Sequence, residues 1–171
     1  MSGTLERAGR RTAVAYAPDG GRPLRGYLAV MGVFGGIVGS LAGLARLTGR
    51  RPPERIPLTD VALLGLATHK LSRLLTKDAV TSPLRAPFTR YAEPAGEGEL
   101  NEEVRGRGTQ HAVGELVSCP FCAGVWIATG LCGGLVFAPR LTRLVAAAAS
   151  AVAVADFLHL GYDVAKRAAT R

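Results

Sequence analysis

Two stretches of this chain, Gly26–Ala45 and Leu116–Ala138, are apolar and contain no charged residue. At about 1.5 Å per residue, each is long enough as a helix to cross a hydrocarbon core about 30 Å thick. Backbone groups in lipid must be paired internally, so the runs point to helices in a bilayer. Composition agrees, with 48% hydrophobic residues but only 6% aromatic ones. The net charge of +8 raises the question of nucleic acid. However, the arginines sit mainly beside the apolar runs, where they anchor to anionic headgroups and set orientation. Aromatics interleaved with basic residues, as a single-strand binder needs, are nearly absent. The expected partner is the lipid bilayer, with no nucleic acid.

Read along its length, the chain divides into four parts. Residues 1–25 form a flexible basic tail, with turn chemistry at Ala17-Pro18-Asp19-Gly20-Gly21. Residues 26–57 are an added anchor helix and a basic, proline-broken loop. The apolar run here exceeds a normal signal-peptide core, so it reads as a retained anchor. Its glycines, Gly32, Gly35, Gly36, Gly39 and Gly43, give small-xxx-small spacings of the kind that let helices approach in lipid. They predict contact with another helix, in the same protomer, a homo-oligomer or another membrane protein. Residues 58–165 form the core membrane domain, and residues 166–171 a basic C-terminal tail.

Within the core, Thr59 or Asp60 is expected to cap a second helix over about Asp60–Leu75. Its second half carries His69, Lys70 and Arg73, so it either spans with snorkelling or inserts only in part. An interfacial loop covers 76–115. Val80, Leu84 and Phe88 recur there at helical spacing between prolines, as in an element lying on headgroups. Glu93–Glu103 reads as an acidic, glycine-rich solvated loop. Leu116–Ala138 is the third helix, Arg140–Arg143 a tight basic turn, and Leu144–Ala165 a fourth helix interrupted by Asp156 and His159. The expected fold is all-α: a small polytopic bundle of four spans, the third and fourth forming a tight hairpin. The Lys and Arg distribution is expected to place both termini in the cytoplasm of a multi-pass cell-membrane protein.

The third helix opens with Cys119-Pro120-Phe121-Cys122, a CxxC pair at headgroup level. Two stretches surround the chemistry. One runs Thr68-His69-Lys70-Leu71-Ser72-Arg73-Leu74, with Thr76-Lys77-Asp78 and Leu84-Arg85-Ala86-Pro87-Phe88-Thr89. The other is Gly114-Glu115-Leu116, with the cysteine motif and Gly124-Val125-Trp126. Together they resemble the bacterial membrane-protein family catalogued as domain of unknown function 1360, over about Leu58 to Ala165. The resemblance implies that the second helix and the cysteine motif belong to one unit. It implies no activity.

In the four-span arrangement Cys119, Cys122, His69, His159 and Asp156 fall at similar depth near the inner ends of their helices. Three chemistries fit. In a redox centre Cys119 attacks, its thiolate favoured by free helix amides, and Cys122 resolves. In a zinc-like metal site Cys119 and Cys122 join His69 and His159, with His111 as an alternative ligand and Asp156 orienting His159. In a non-catalytic scaffold the cysteines pack as small apolar residues, and Asp156 pairs with Arg73 or Lys70 to register two helices. Cys132, ten residues beyond Cys122, lies about 15 Å along the helix and cannot pair with it. It reads as a packing residue. No GxSxG, HExxH or Walker A string is present.

Overall fold

A computed structural model describes residues 12, 14–17 and 22–170. Helix α1 spans Leu24–Leu47 and α2 Leu58–Thr76. A single 3-10 turn, Ala79–Thr81, leads into the short α3, Ser82–Arg85. Strands β1, Thr89–Gly96, and β2, Glu99–Val104, form an antiparallel pair. Then come α4, Thr109–Ser118, α5, Pro120–Phe137, and α6, Pro139–Ala169. Among the described residues three helices, α1, α5 and α6, are long and apolar enough to cross a membrane. The protein is therefore membrane-associated, and the exposed Leu28, Met31, Ile37 and Leu44 of α1 meet lipid rather than a core.

Helix α2 forms the centre of the bundle, packed along both α5 and α6. Leu64, Ala67, Leu135 and Ala146 make its small buried core. Helices α2 and α6 run parallel, and polar contacts hold them in register at three levels. Arg143 donates to both oxygens of Asp60, at 3.0 and 2.7 Å. The Ser150 hydroxyl donates to the Leu63 carbonyl at 2.8 Å. Lys70 meets Asp156 at 2.9 Å, and the His69 ring stacks on Phe157, centroids 5.5 Å apart. Asp60 is thus committed across the bundle rather than to a cap. The N-cap of α2 is Pro57, without a side-chain cap hydrogen bond.

Helices α5 and α6 do form a tight hairpin, joined by Ala138 alone. The turn is tighter than the expected Arg140–Arg143 because Pro139 occupies a first-turn position, where its missing N–H costs nothing. Arg140 and Arg143 are therefore helical. The helices touch at Gly134, where a Cβ would lie 2.5 Å from the Thr142 hydroxyl oxygen.

Helix α1 leans mainly on α4 and lightly on α5. At its five expected packing glycines, Gly32, Gly35, Gly36, Gly39 and Gly43, an added Cβ would meet nothing within 4 Å, so among the described residues no helix of this chain packs on the glycine face. The close approach is at Gly26 instead, where a Cβ would sit 2.5 Å from the Gly108 carbonyl oxygen. Phe34 meets Trp126 edge-on at 5.1 Å, and Leu41 packs on Gly133.

The fold is mostly helical but not all-α. The expected acidic loop is a two-stranded hairpin, turned by Gly96 and Gly98, both at positive φ. No alternating apolar pattern announces it, because neither strand faces a core. Polar anchors hold it over the end of α2: the Leu100 N–H donates to Lys77 O at 2.8 Å, and Ala79 N–H to Gly98 O at 2.9 Å.

Candidate functional site

The apolar run at Leu116 is broken where proline dictates. A residue before proline is pushed out of the α region. Accordingly Cys119 is extended, with φ −108° and ψ 112°, and separates α4 from α5. It becomes the N-cap of α5 rather than a residue inside a longer helix. The Cys122 N–H donates to the Cys119 sulfur at 3.4 Å, so the thiol fills the capping role that a Ser or Asp oxygen usually fills. Partial burial pushes the Cys119 thiol up. The Cys122 thiol and amide, the Phe121 amide and the Lys77 charge outweigh that burial and hold it below the ordinary thiol range. Both cysteines are free thiols, Cys119 half-buried and Cys122 exposed.

The other expected ligands are not gathered here. His69 lies against Phe157 and is exposed, and His159 is exposed on α6. Among the described residues, no group of three or more His, Cys, Asp or Glu side chains is placed to hold a metal ion. Asp156 pairs with Lys70, while Arg73 turns to the hairpin and binds Glu99 through two hydrogen bonds, one from Nε at 2.9 Å. His111 lies 3.5 Å from Glu115. Cys132 is exposed on α5 rather than packed.

Two clusters carry more structure than sequence reasoning gave them. The first is centred on Arg85, whose side chain is 0% exposed, against 5% for its partner Glu102. Its Nε and Nη2 form a fork onto Glu102 at 2.8 and 3.0 Å. Nη1 donates to Leu75 O at 2.9 Å and to Thr81 Oγ1 at 2.6 Å, and Nη2 to Asp78 O at 3.1 Å. Carbonyls at a helix C-terminus have no partner within the helix. Arg85 therefore serves as the cap of α2 and as the bolt that fixes β2 to it. Burial raises the Glu102 carboxyl, and the hydrogen bonds and charge of Arg85, with Thr89 and Ser82, more than offset that and hold it below the usual carboxylate range. The signal lay in the sequence as one basic set, Arg73, Lys77 and Arg85, facing one acidic set, Glu99 and Glu102, across a single connection.

The second cluster surrounds Glu115 of α4. Arg22 donates to one carboxylate oxygen at 2.7 Å, and the Tyr27 hydroxyl to the other at 2.6 Å. Glu115, Tyr27 and Cys122 also line one end of a groove between α1, α4 and α5.

Residues 63–162, more than half of the chain, match the family described as a protein of unknown function, DUF1360. The chain belongs to that family. It is similar to the sporulation protein YjcA of Bacillus subtilis (strain 168), 39% identical over 71 residues, covering 40% of this chain and 60% of that protein. It is also similar to the UPF0713 protein YngL of the same organism, 28% identical over 89 residues, covering 52% of this chain and 66% of that protein. The chain thus spans 60% of the length of the first of these relatives and about two thirds of the second. No solved structure matches.

Proposed function

We propose that this protein is a four-pass component of a bacterial cytoplasmic membrane, with both termini in the cytoplasm. In this reading Cys119 and Cys122 form a dithiol–disulfide redox centre at the inner headgroup level. The observation that carries the redox reading is the cap geometry. The Cys119 sulfur sits at the amide-bearing end of α5 and accepts the Cys122 N–H, an arrangement that favours a thiolate. The Cys119 thiolate attacks a substrate disulfide, forming a mixed disulfide and releasing one substrate thiolate. Cys122 then attacks the Cys119 sulfur, closing Cys119–Cys122 and releasing the second thiolate. Reversed, the same steps oxidise a dithiol.

Support for the fourth span comes from α2 itself. It lies parallel to α6 across the depth from Arg143 to Phe157, and its charges are partnered: Asp60 with Arg143, Lys70 with Asp156, Arg73 with Glu99. Partnered charges lower the cost that otherwise keeps such a helix out of lipid. The basic tails and the hairpin connection then share one side, in keeping with the positive-inside rule.

Thiol trapping tests the redox reading in a Cys132→Ala background. Oxidised glutathione should convert the parent protein to an internal disulfide that protects two thiols from maleimide. Cys122→Ser should stop at one stable glutathione adduct on Cys119. If no disulfide forms and Cys119 reacts no faster than an ordinary thiol, the redox reading is wrong. An active periplasmic phosphatase fused after Arg171 would overturn the topology.

A further inference from the structure

Around the C-terminal end of α2 most basic residues are matched with carboxylates. Lys70 meets Asp156, Arg73 binds Glu99, and Arg85 reaches back onto Glu102. Lys77, the C-cap of α2, is the exception. Among the described residues no carboxylate lies within ion-pair distance of it, and its Nζ donates instead to Asn101 Oδ1 at 3.4 Å. Strand β2 grips Lys77 at two successive residues. The Lys77 carbonyl accepts the Leu100 N–H at 2.8 Å, and its ammonium meets Asn101. Asn101 Nδ2 donates to Glu93 Oε1 at 3.3 Å, which leaves Oδ1 for Lys77. The strand reads Glu-Leu-Asn-Glu-Glu-Val, so its one neutral polar residue stands where the unpaired ammonium is held. A carboxylate at that position would cancel the charge, whereas an amide holds the ammonium and leaves its charge in force.

Helix packing carries that charge toward the cysteine motif. Helix α5 runs antiparallel to α6 and hence to α2. A Cβ on Gly124 would lie 3.7 Å from Thr68 Cγ2, so those two residues share a level. Cys119 lies five residues before Gly124, and Lys77 nine after Thr68. At about 1.5 Å per residue they lie about 7.5 and about 13.5 Å beyond that level, in the same direction. The difference, about 6 Å, is within reach of a lysine's four-carbon stem. The nearby carboxylate of α4, Glu115, is already taken by Arg22 and Tyr27. Against the burial that pushes the Cys119 thiol up, the Lys77 charge acts with the Cys122 and Phe121 hydrogen bonds in holding it down.

We propose that Lys77 is a positioning residue for the Cys119 thiolate, and that Asn101 of the hairpin holds it there with its charge uncancelled. This rests on the redox reading above. The hairpin thereby gains a task in the chemistry: the strand that Arg85 bolts to α2 is also the strand that presents the cation.

The test is the pH profile of iodoacetamide modification of Cys119, in the full chain in nanodiscs with Cys122 and Cys132 replaced by Ala. Lys77→Met keeps most of the stem and loses the charge. The midpoint should rise, and the thiolate present at pH 6 should fall about three- to tenfold, the effect of one partly screened charge several ångströms away. Asn101→Asp should do the same with Lys77 still in place, and Lys77→Arg should stay near the parent. The differences should shrink in 1 M salt, where the Debye length is about 3 Å. The Leu100 amide should exchange in Lys77→Met as in the parent, since its acceptor is a backbone carbonyl. A Lys77→Met midpoint equal to the parent's overturns the role of Lys77, and an Asn101→Asp midpoint equal to the parent's overturns that of Asn101. A rise undiminished by salt, or shared by Lys77→Arg, overturns both, because it comes from a displaced helix end rather than from charge. Oxidised glutathione keeps the redox reading separate. A Cys119–Cys122 pair that closes while the midpoint ignores Lys77 refutes this proposal alone. A midpoint that follows Lys77 in a protein that never closes the disulfide refutes the redox reading alone.

Discussion

Removing the Arg85 guanidinium should free the hairpin while leaving the membrane helices in place. Arg85→Ala strips Glu102 of its fork and leaves a carboxylate that is 5% exposed without its cation. It also uncaps the Leu75 carbonyl and removes one of the donors to the Asp78 carbonyl, which keeps Thr81. Breaking a buried ion pair from one side costs about 3–5 kcal/mol, because the surviving charge stays desolvated. That is a large share of the roughly 5–15 kcal/mol that holds a typical domain. The apolar helices do not depend on it, so the loss should appear as local opening. Amides that tie the hairpin down, those of Ala79, Leu100 and Arg105, are the reporters. At about 1.4 kcal/mol per tenfold, their hydrogen exchange in nanodiscs should accelerate by about a hundredfold to several thousandfold, with α5 and α6 amides unchanged. Arg85→Lys should recover little, since an ammonium cannot span the fork and two carbonyls together. Arg85→Met/Glu102→Leu should be milder than Arg85→Ala, because no buried charge is stranded. If Arg85→Ala exchanges like the parent, or Arg85→Lys matches it, the bolt is not what holds the hairpin.

The same pair sets an acid limit. Glu102 has a folded-state value below its unfolded value of about 4.3, so its contribution is complete above that range and is lost as pH falls through the lower folded value. Hairpin amide exchange should rise over that window in the parent, and Glu102→Gln should flatten the profile. Gly26→Leu should loosen α1 from α4, since even a Cβ would meet the Gly108 carbonyl at 2.5 Å, and thermal melting in detergent should fall. Gly39→Leu should leave the melting of the single chain unchanged, because Gly39 faces open space. A drop in cross-linked dimer on Gly39→Leu alone would mean that the glycine face seats a second copy.

The apolar helices and the tight α5–α6 turn were legible because lipid imposes a strong, local rule: a long uncharged run. The hairpin was not, because its determinants are long-range ion pairs from Arg73 and Arg85, and no periodicity marks them. The glycines of α1 were overread, since small-residue spacing permits close approach without naming a partner. The cysteine motif was misplaced for a subtler reason. Hydropathy makes Leu116–Ala138 one run, whereas Pro120 divides it by steric conflict with the backbone of Cys119. That division creates the thiol's environment, and it can be undone. In Pro120→Ala the conflict disappears, so α4 can continue into α5 and Cys119 becomes an interior helical residue. Its sulfur then loses the cap position and the Cys122 N–H, and partial burial is no longer outweighed. The pH midpoint for iodoacetamide modification of Cys119, measured with Cys122 and Cys132 replaced by Ala, should therefore rise toward or above the ordinary thiol value of about 8.5. Cys122→Ala keeps the backbone amide, so the reference protein with Pro120 intact should stay lower. Equal midpoints would show that proline, for all its effect on the chain path, does not tune the thiol.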